Sequence, residues 1–166
     1  MNWRDLSFTA LDGTLAQGPV VAILPLGAVE AHGPHLPVGA DTWIAEAMAR
    51  EGAERLAKGG LSAVVLPSLA YAPAPFANAH AGTLSIRPET LAALVGDIGL
   101  AVAARGVAVL ALANAHFDPV QVGALRSAVE RLQQSGRLRV VFPDLTRRRL
   151  ADRLGVLPVE QSVLPI

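Results

Sequence analysis

The sequence contains no cysteine, few aromatic residues and no excess of charge of either sign. Its 166 residues include 14 basic and 14 acidic side chains, so the formal net charge is zero. The absence of cysteine excludes a disulfide scaffold, thiolate-bound zinc and catalysis by a thiol. The balanced charge is unlike the basic surface of a nucleic-acid-binding protein. A metal ion held by this chain would therefore need histidine, aspartate or glutamate as ligands.

The chain also lacks a long hydrophobic run that is free of charges. Residues 91–115 form the most apolar stretch, but Asp97 and Arg105 interrupt it, and charges inside a membrane are costly. We therefore expect a buried helix and a strand here, not a membrane span. The first residues carry mixed charge and no apolar segment follows them, which predicts the absence of a signal peptide. These features favour a soluble, cytoplasmic protein with no membrane or nucleic-acid partner.

Short apolar runs alternate with helical patterns along the chain. The runs that are typical of buried strands lie at 20–24, 62–66, 107–113 and 139–142. Helical periodicity is found at 42–58, 88–105, 119–134 and 144–154, and an irregular loop at 71–82 precedes a short strand at 83–86. Such an alternation predicts an α/β fold, a three-layer α/β/α sandwich around a mostly parallel sheet. Because no repeat or linker interrupts the pattern, residues 1–166 are expected to form a single domain.

Residues that can bind metal ions follow two of the predicted strands directly. Glu30, His32 and Asp41 come after the first strand, and His116 and Asp118 come after the third. Residues i and i+2 of an extended chain point the same way, so Glu30 and His32 can face one point. In open parallel sheets, ligands bind beyond the carboxyl ends of the strands. Imidazole and carboxylate groups suit zinc or manganese, so the sequence predicts a metal site at this edge.

Two of these carboxylates also fit a structural role. Asp41 precedes an apolar-periodic helix and could be its N-cap. Asp118 followed by Pro119 is a typical pair for the N-cap and the first helical position. One residue can serve as both cap and metal ligand, so both interpretations stay open. His35 and His80 are expected to be exposed or to lie behind the ligands.

The first of these segments resembles the creatininase (creatinine amidohydrolase) family. Residues 27–37 read Gly-Ala-Val-Glu-Ala-His-Gly-Pro-His-Leu-Pro, where the family commonly shows G-S-x-E-Q-H-G-P-H-L-P followed by a Thr-Asp pair. The resemblance continues through 82–90 and 114–116 and covers about residues 20–139. It implies a three-layer α/β/α domain, often assembled as a homohexamer, with two divalent zinc or manganese ions.

Transferred position by position, the resemblance implies a role for each candidate residue. Glu30 and His116 would bind one ion, His32 would bind the other, and Asp41 would bridge the two. Asp118 falls where creatininase itself has a glutamate ligand. The first four would be catalytic through metal-bound water. The implied reaction is hydrolysis of a C–N amide bond in a small, often cyclic, substrate.

The chain departs from the family pattern at several positions. Asp118 is one methylene shorter than the family's glutamate, and Ala115 stands where the family has glycine. Family members usually continue into a H-A-G-x-x-E-T-S segment, but no histidine follows His116 and residues 160–162 echo only its last part. The comparison with the family pattern therefore predicts that its usual C-terminal part is missing. Two alternatives stay open: a degenerate member with a structural or oligomeric role, and a relative that acts as a deformylase or precursor-peptide hydrolase.

Overall fold

A four-stranded parallel sheet forms the centre of the computed structural model, which describes residues 1–146. The strands are β1 (Val20–Leu26), β2 (Ser62–Val65), β3 (Val109–Asn114) and β4 (Arg139–Val141). Their order is β2-β1-β3-β4, and all neighbouring pairs are parallel. In the register of the two central strands, Leu26 lies opposite Asn114. The chain therefore leaves the central strands β1 and β3 side by side, at the carboxyl end of the sheet.

Helices cover both faces of this sheet. They are α1 (Phe8–Ala16), α2 (Ala40–Lys58), α3 (Pro88–Ala104) and α4 (Pro119–Gln134), with short 3₁₀ turns at Trp3–Asp5 and Pro75–Ala77. Helix α2 packs on β1, β2 and β3, whereas α3 and α4 pack on each other. No helix within residues 1–146 combines the length and the apolarity needed to cross a membrane.

The alternation of side chains along β1 produces two cores. Val20, Leu24 and Leu26 point into the larger core, which α3 and α4 complete. Ile23 points the opposite way, into a smaller core with alanines of α2. Ala45, Ala49 and Ala53 repeat every four residues and are buried, so they form a narrow stripe along one side of α2. Small side chains on this stripe allow α2 to lie close to the sheet.

This architecture confirms the predicted three-layer α/β/α sandwich. All four predicted strands are present, and so are the helices predicted at 42–58, 88–105 and 119–134, with bounds that differ by a few residues. Helix α1 was not predicted, because none of its residues is buried and an apolar stripe is therefore missing. Its sequence signal is Ser7, whose side chain accepts a hydrogen bond from the Ala10 N–H as an N-cap.

Two of the predicted elements differ in the structure. The strand expected at 83–86 is reduced to a single bridge between Ala72 and Ser85. The partner segment contains Pro73 and Pro75, which lack the N–H groups that a longer ladder needs. The helix expected at 144–154 does not start at Asp144, since residues 144–146 are not helical. The rest of that prediction lies outside the described residues.

Gly27 allows the chain after β1 to pass against the first turn of α2. A Cβ atom at Gly27 would lie 2.5 Å from the backbone nitrogen and the Cα of Thr42. Thr42 adds a second contact between these two segments, because its hydroxyl donates to the Ala28 carbonyl at 3.4 Å. The end of β1 and the start of α2 are therefore held together by a contact that tolerates no side chain.

Replacing Gly27 by alanine is expected to lower the free energy of unfolding by about 1–3 kcal/mol, because the new methyl group meets backbone atoms that cannot rotate away. Chemical denaturation followed by circular dichroism measures this change. Gly123→Ala on α4 is the control: within residues 1–146, no atom other than its chain neighbours and its own helix backbone lies within 4 Å of its Cβ position. It should be neutral or stabilising by up to about 1 kcal/mol. Equal stability of both variants would contradict the close approach.

Candidate metal centre

Four of the five predicted side chains meet at the carboxyl edge of the sheet. Asp41 Oδ1 lies 3.0 Å from His32 Nε2, and Asp41 Oδ2 lies 3.0 Å from His116 Nδ1. Glu30 Oε1 lies 3.1 Å from His116 Nδ1 and 3.5 Å from His32 Nε2. The two carboxylates thus lie between two imidazole rings, and Asp41 turns a different oxygen to each ring.

The loop after β1 places Glu30 and His32 through backbone hydrogen bonds. The Glu30 N–H donates to the Val38 carbonyl at 3.0 Å, which closes the loop on itself. The Ala31 N–H donates to the hydroxyl of Thr83 at 3.0 Å, which ties the loop to the segment before α3. The loop is therefore held on two sides without any regular secondary structure.

Asp41 and His116 come from more regular elements. Asp41 lies in the first turn of α2 and is buried. The N-cap of that helix is Gly39, so the hypothesis that Asp41 is the N-cap was wrong. His116 follows β3 closely, and the Ala115 N–H still donates to the Leu26 carbonyl at 3.0 Å. Pairing with β1 thus continues up to the residue before His116.

Backbone carbonyls determine which nitrogen of each ring faces the carboxylates. His32 Nδ1 lies 3.0 Å from the Glu30 carbonyl, and His116 Nε2 lies 2.9 Å from the Pro73 carbonyl. A carbonyl only accepts hydrogen bonds, so these nitrogens carry the hydrogen when the rings are neutral. The lone pairs then lie on His32 Nε2 and His116 Nδ1, toward the carboxylates. Metal-binding histidines are commonly held by such a bond on the far side of the ring.

Burial and mutual charge shift the pKa values of three of these groups. Burial raises the pKa of Glu30, and Asp41 adds to the rise, whereas both rings oppose it. Burial by itself lowers the pKa of His116, but its contacts with Asp41, the Pro73 carbonyl and Glu30 outweigh burial and raise it. The pKa of His32 is also raised: burial lowers it, and the bond to the Glu30 carbonyl and the charge of Asp41 prevail. Without a cation, the cluster therefore favours retaining protons.

The donor set fits divalent cations. Glu30, His32 and Asp41 offer ligand atoms that all lie within 4.8 Å of one another. Asp41 Oδ2 is buried and has no hydrogen-bond partner in the described part of the chain, although His116 Nδ1 lies beside it. When the His116 ring is neutral, Nδ1 of His116 and Oδ2 of Asp41 direct lone pairs at the same region. A cation in that region would interact favourably with both atoms. Two imidazoles with two carboxylates is chemistry suited to zinc or manganese.

Asp118 lies at the wall of the same cavity but makes a different contact. It is the N-cap of α4, and its Oδ1 accepts a hydrogen bond from the Val120 N–H at 2.7 Å. The cavity has a volume of about 410 Å³ and opens to solvent, with Phe76 and Phe117 among its lining residues. The capping interpretation of Asp118 is therefore confirmed, and its role as a metal ligand stays a prediction.

His35 and His80 are exposed and do not line this cavity.

Sequence reasoning did not identify the groups that lie behind the candidate ligands. The Pro73 carbonyl orients the ring of His116, yet a backbone oxygen leaves no sequence signal. Gln121 is fully buried on α4 and bonds to Asn114. Its signal was a polar residue on the otherwise apolar side of a helix, three residues after the N-cap.

The fold and the clustered donors define an α/β protein with a candidate metal centre beyond its central strands. The family model of creatininase, described as creatinine amidohydrolase, matches residues 4–162, and the chain belongs to this family. Mycofactocin precursor peptide peptidase from Mycobacterium tuberculosis (strain ATCC 25618 / H37Rv) is 38% identical over 120 residues, covering 69% of this chain and 47% of that protein. Creatinine amidohydrolase from Pseudomonas putida is 31% identical over 119 residues, covering 69% and 44%. The chain spans about half the length of the curated relatives it matches.

Solved structures of creatininases share the fold. A crystal structure of creatinine amidohydrolase (creatininase) has a TM-score of 0.73 at 28% identity and covers 98% of this chain and 64% of that chain. A manganese creatininase has a TM-score of 0.72 at 27% identity, covering 92% and 62%. A creatininase variant of Zn-Zn type has a TM-score of 0.73 at 26% identity, covering 98% and 65%. The resemblance of the sequence motifs is thus confirmed at the level of family and fold.

The capping role of Asp118 predicts different effects for two substitutions. Asp118→Ala should lower the free energy of unfolding by about 1 kcal/mol, because the Val120 N–H loses its acceptor. Asp118→Asn should leave it nearly unchanged, because asparagine caps helices equally well. Chemical denaturation without metal measures both effects. If the asparagine variant is as unstable as the alanine variant, the cap is not the source of stability.

Proposed function

We propose that this chain carries the metal centre of an amidohydrolase that cleaves a C–N amide bond in a small substrate. The observation that supports this proposal most strongly is the placement of the buried carboxylate of Asp41 between two imidazole rings. In the proposal, Glu30 and His116 would hold one ion and His32 would hold the other. Asp41 would bridge them, and Asp118 would be a further ligand.

The distances support this division of the ligands. Glu30 Oε1 lies closer to His116 than to His32, at 3.1 Å against 3.5 Å. Each oxygen of Asp41 lies 3.0 Å from a different ring, so each would be available to a different ion. Asp41 comes from the first turn of α2, and His116 follows β3 closely. Glu30 and His32 come from the loop after β1, which backbone hydrogen bonds to Val38 and Thr83 hold in place.

Divalent ions, when bound, supply Lewis acidity toward a carbonyl group and lower the pKa of water. The chain itself orients the donors and leaves one side of the cluster open to the cavity. Carbonyls of Glu30 and Pro73 keep the two rings from turning. Phe76 and Phe117 are exposed beside the cluster and offer apolar contact to a substrate.

A precursor-peptide hydrolase is the second candidate function. The mycobacterial relatives that are peptidases of a precursor peptide are up to 38% identical to this chain, compared with 31% for the creatinine amidohydrolase. The open cavity supports this candidate, because an extended chain can reach donors that are not enclosed. Both functions use the same donors and the same reaction type, so the substrate alone separates them.

The proposal also includes the assembly and location that the sequence favoured. A homo-oligomer, a hexamer by family resemblance, would cover apolar side chains such as Phe8 on α1 and Trp43 and Ile44 on α2, which are exposed in the single chain. A cytoplasmic location stays a prediction.

The purified chain is expected to bind two equivalents of zinc or manganese, as measured by plasma emission spectrometry after dialysis. Asp41→Asn should remove most of this metal, because the bridge loses its negative charge, and Glu30→Gln should weaken binding as well. Glu54→Gln is the matched control, since Glu54 is an exposed carboxylate on the same helix as Asp41. Metal content that is the same in all variants would overturn the proposed centre.

Amide hydrolysis is expected with at least one member of a panel of cyclic ureides, formamides and short peptides. Activity should disappear with a chelator and return on addition of zinc or manganese, because the donor set has no nucleophile of its own. Release of amine, followed by a fluorogenic amine reagent, measures turnover. Tight metal binding without turnover of any compound would favour the degenerate family member over both hydrolase functions.

A further inference from the structure

A chain of buried amide groups connects helix α4 to the backbone of His116. Gln121 Nε2 donates to Asn114 Oδ1 at 2.7 Å. Asn114, the last residue of β3, donates through Nδ2 to the carbonyl oxygen of His116 at 2.6 Å. Gln121 and Asn114 are both buried, and neither lines the cavity. They therefore reach the candidate centre only through His116.

The direction of these hydrogen bonds is determined from the His116 end. A backbone carbonyl only accepts, so Asn114 must turn its NH₂ group toward it and its oxygen toward Gln121. Gln121 must then turn its own NH₂ group toward Asn114. Its Oε1 is left on the other side, where it has no hydrogen-bond partner among the described residues.

An unpaired buried oxygen lowers stability, because it has lost its bonds to water and gained none in the protein. The other buried residues of α4 include Val122, Ala124 and Leu125 and are apolar. An apolar side chain of similar size at position 121 would avoid this oxygen but would leave the buried Asn114 Oδ1 without its donor. The bond to Asn114, and not packing of the core, therefore accounts for glutamine at this position.

We propose that Gln121, acting through Asn114, is a positioning residue that holds the imidazole of His116 toward Glu30 and Asp41. This inference rests on the proposed metal centre. The Pro73 carbonyl holds the ring of His116 at Nε2. The bond from Asn114 holds the backbone of the same residue, and the amide of Gln121 sets the orientation in which Asn114 can make it.

Gln121→Met tests the proposal, because methionine keeps the length of the side chain and removes the amide. The metal-free variant should be about as stable as the wild type, because the unpaired Gln121 Oε1 is removed while Asn114 Oδ1 loses its donor. The affinity for zinc should fall by about 10–100-fold, as for other groups that orient metal ligands. Competition with a chromophoric chelator measures the affinity in the full chain. Gln121→Glu should lose affinity as well, since an ionised carboxylate cannot donate to Asn114.

Gln133→Met is the matched control, a glutamine on the same helix that lies about 18 Å further along its axis. It should bind zinc like the wild type. Lower stability of Gln121→Met with unchanged zinc affinity would show a purely structural role and overturn the proposal.

A second measurement separates this proposal from the proposed function. In metal-free protein at alkaline pH, nitrogen-15 shifts of the His116 ring should show hydrogen on Nε2 in the wild type and a mixture of tautomers in Gln121→Met. A wild type that binds no metal would overturn the metal centre. Identical ring shifts in both proteins would overturn the positioning role.

Discussion

The carboxylate of Asp41 between His32 and His116 is the interaction on which the site depends. A buried carboxylate needs compensating partners, and here each oxygen faces one imidazole at 3.0 Å. Asp41 reaches this position because Gly27 lets the first turn of α2 approach the end of β1. The N-terminal turn of a helix also favours negative charge. Backbone packing and electrostatics thus support the same placement.

Parallel pairing of β1 and β3 explains why Glu30 and His116 lie close together. Because Leu26 lies opposite Asn114, the loops that leave both strands start at neighbouring points. Glu30 and His116 are far apart in sequence, yet their side chains lie 3.1 Å apart. The groups behind them, the Pro73 carbonyl and the Asn114 side chain, come from other parts of the chain. The site is therefore a product of the whole fold and not of one motif.

Family membership places these residues in context. The matched region, residues 4–162, contains all the candidate donors, while the chain spans about half the length of the curated relatives it matches. Some of those relatives are peptidases of a precursor peptide and another is a creatinine amidohydrolase. Relatives with different named activities thus match the same part of this chain.

The sequence by itself was sufficient for the fold class, the order of the main elements and the candidate donors. Strands that are apolar on both faces require helices on both sides, and chemistry at strand ends follows from parallel topology. Helix α1 left only the N-cap signal of Ser7, because an exposed helix needs no apolar stripe. The sequence offered the cap of α4 by Asp118, but the structure was needed to show that Gly39 and not Asp41 caps α2. The tertiary structure alone decided which oxygen of Asp41 faces which ring. That arrangement depends on distances between segments remote in sequence, which local patterns do not encode.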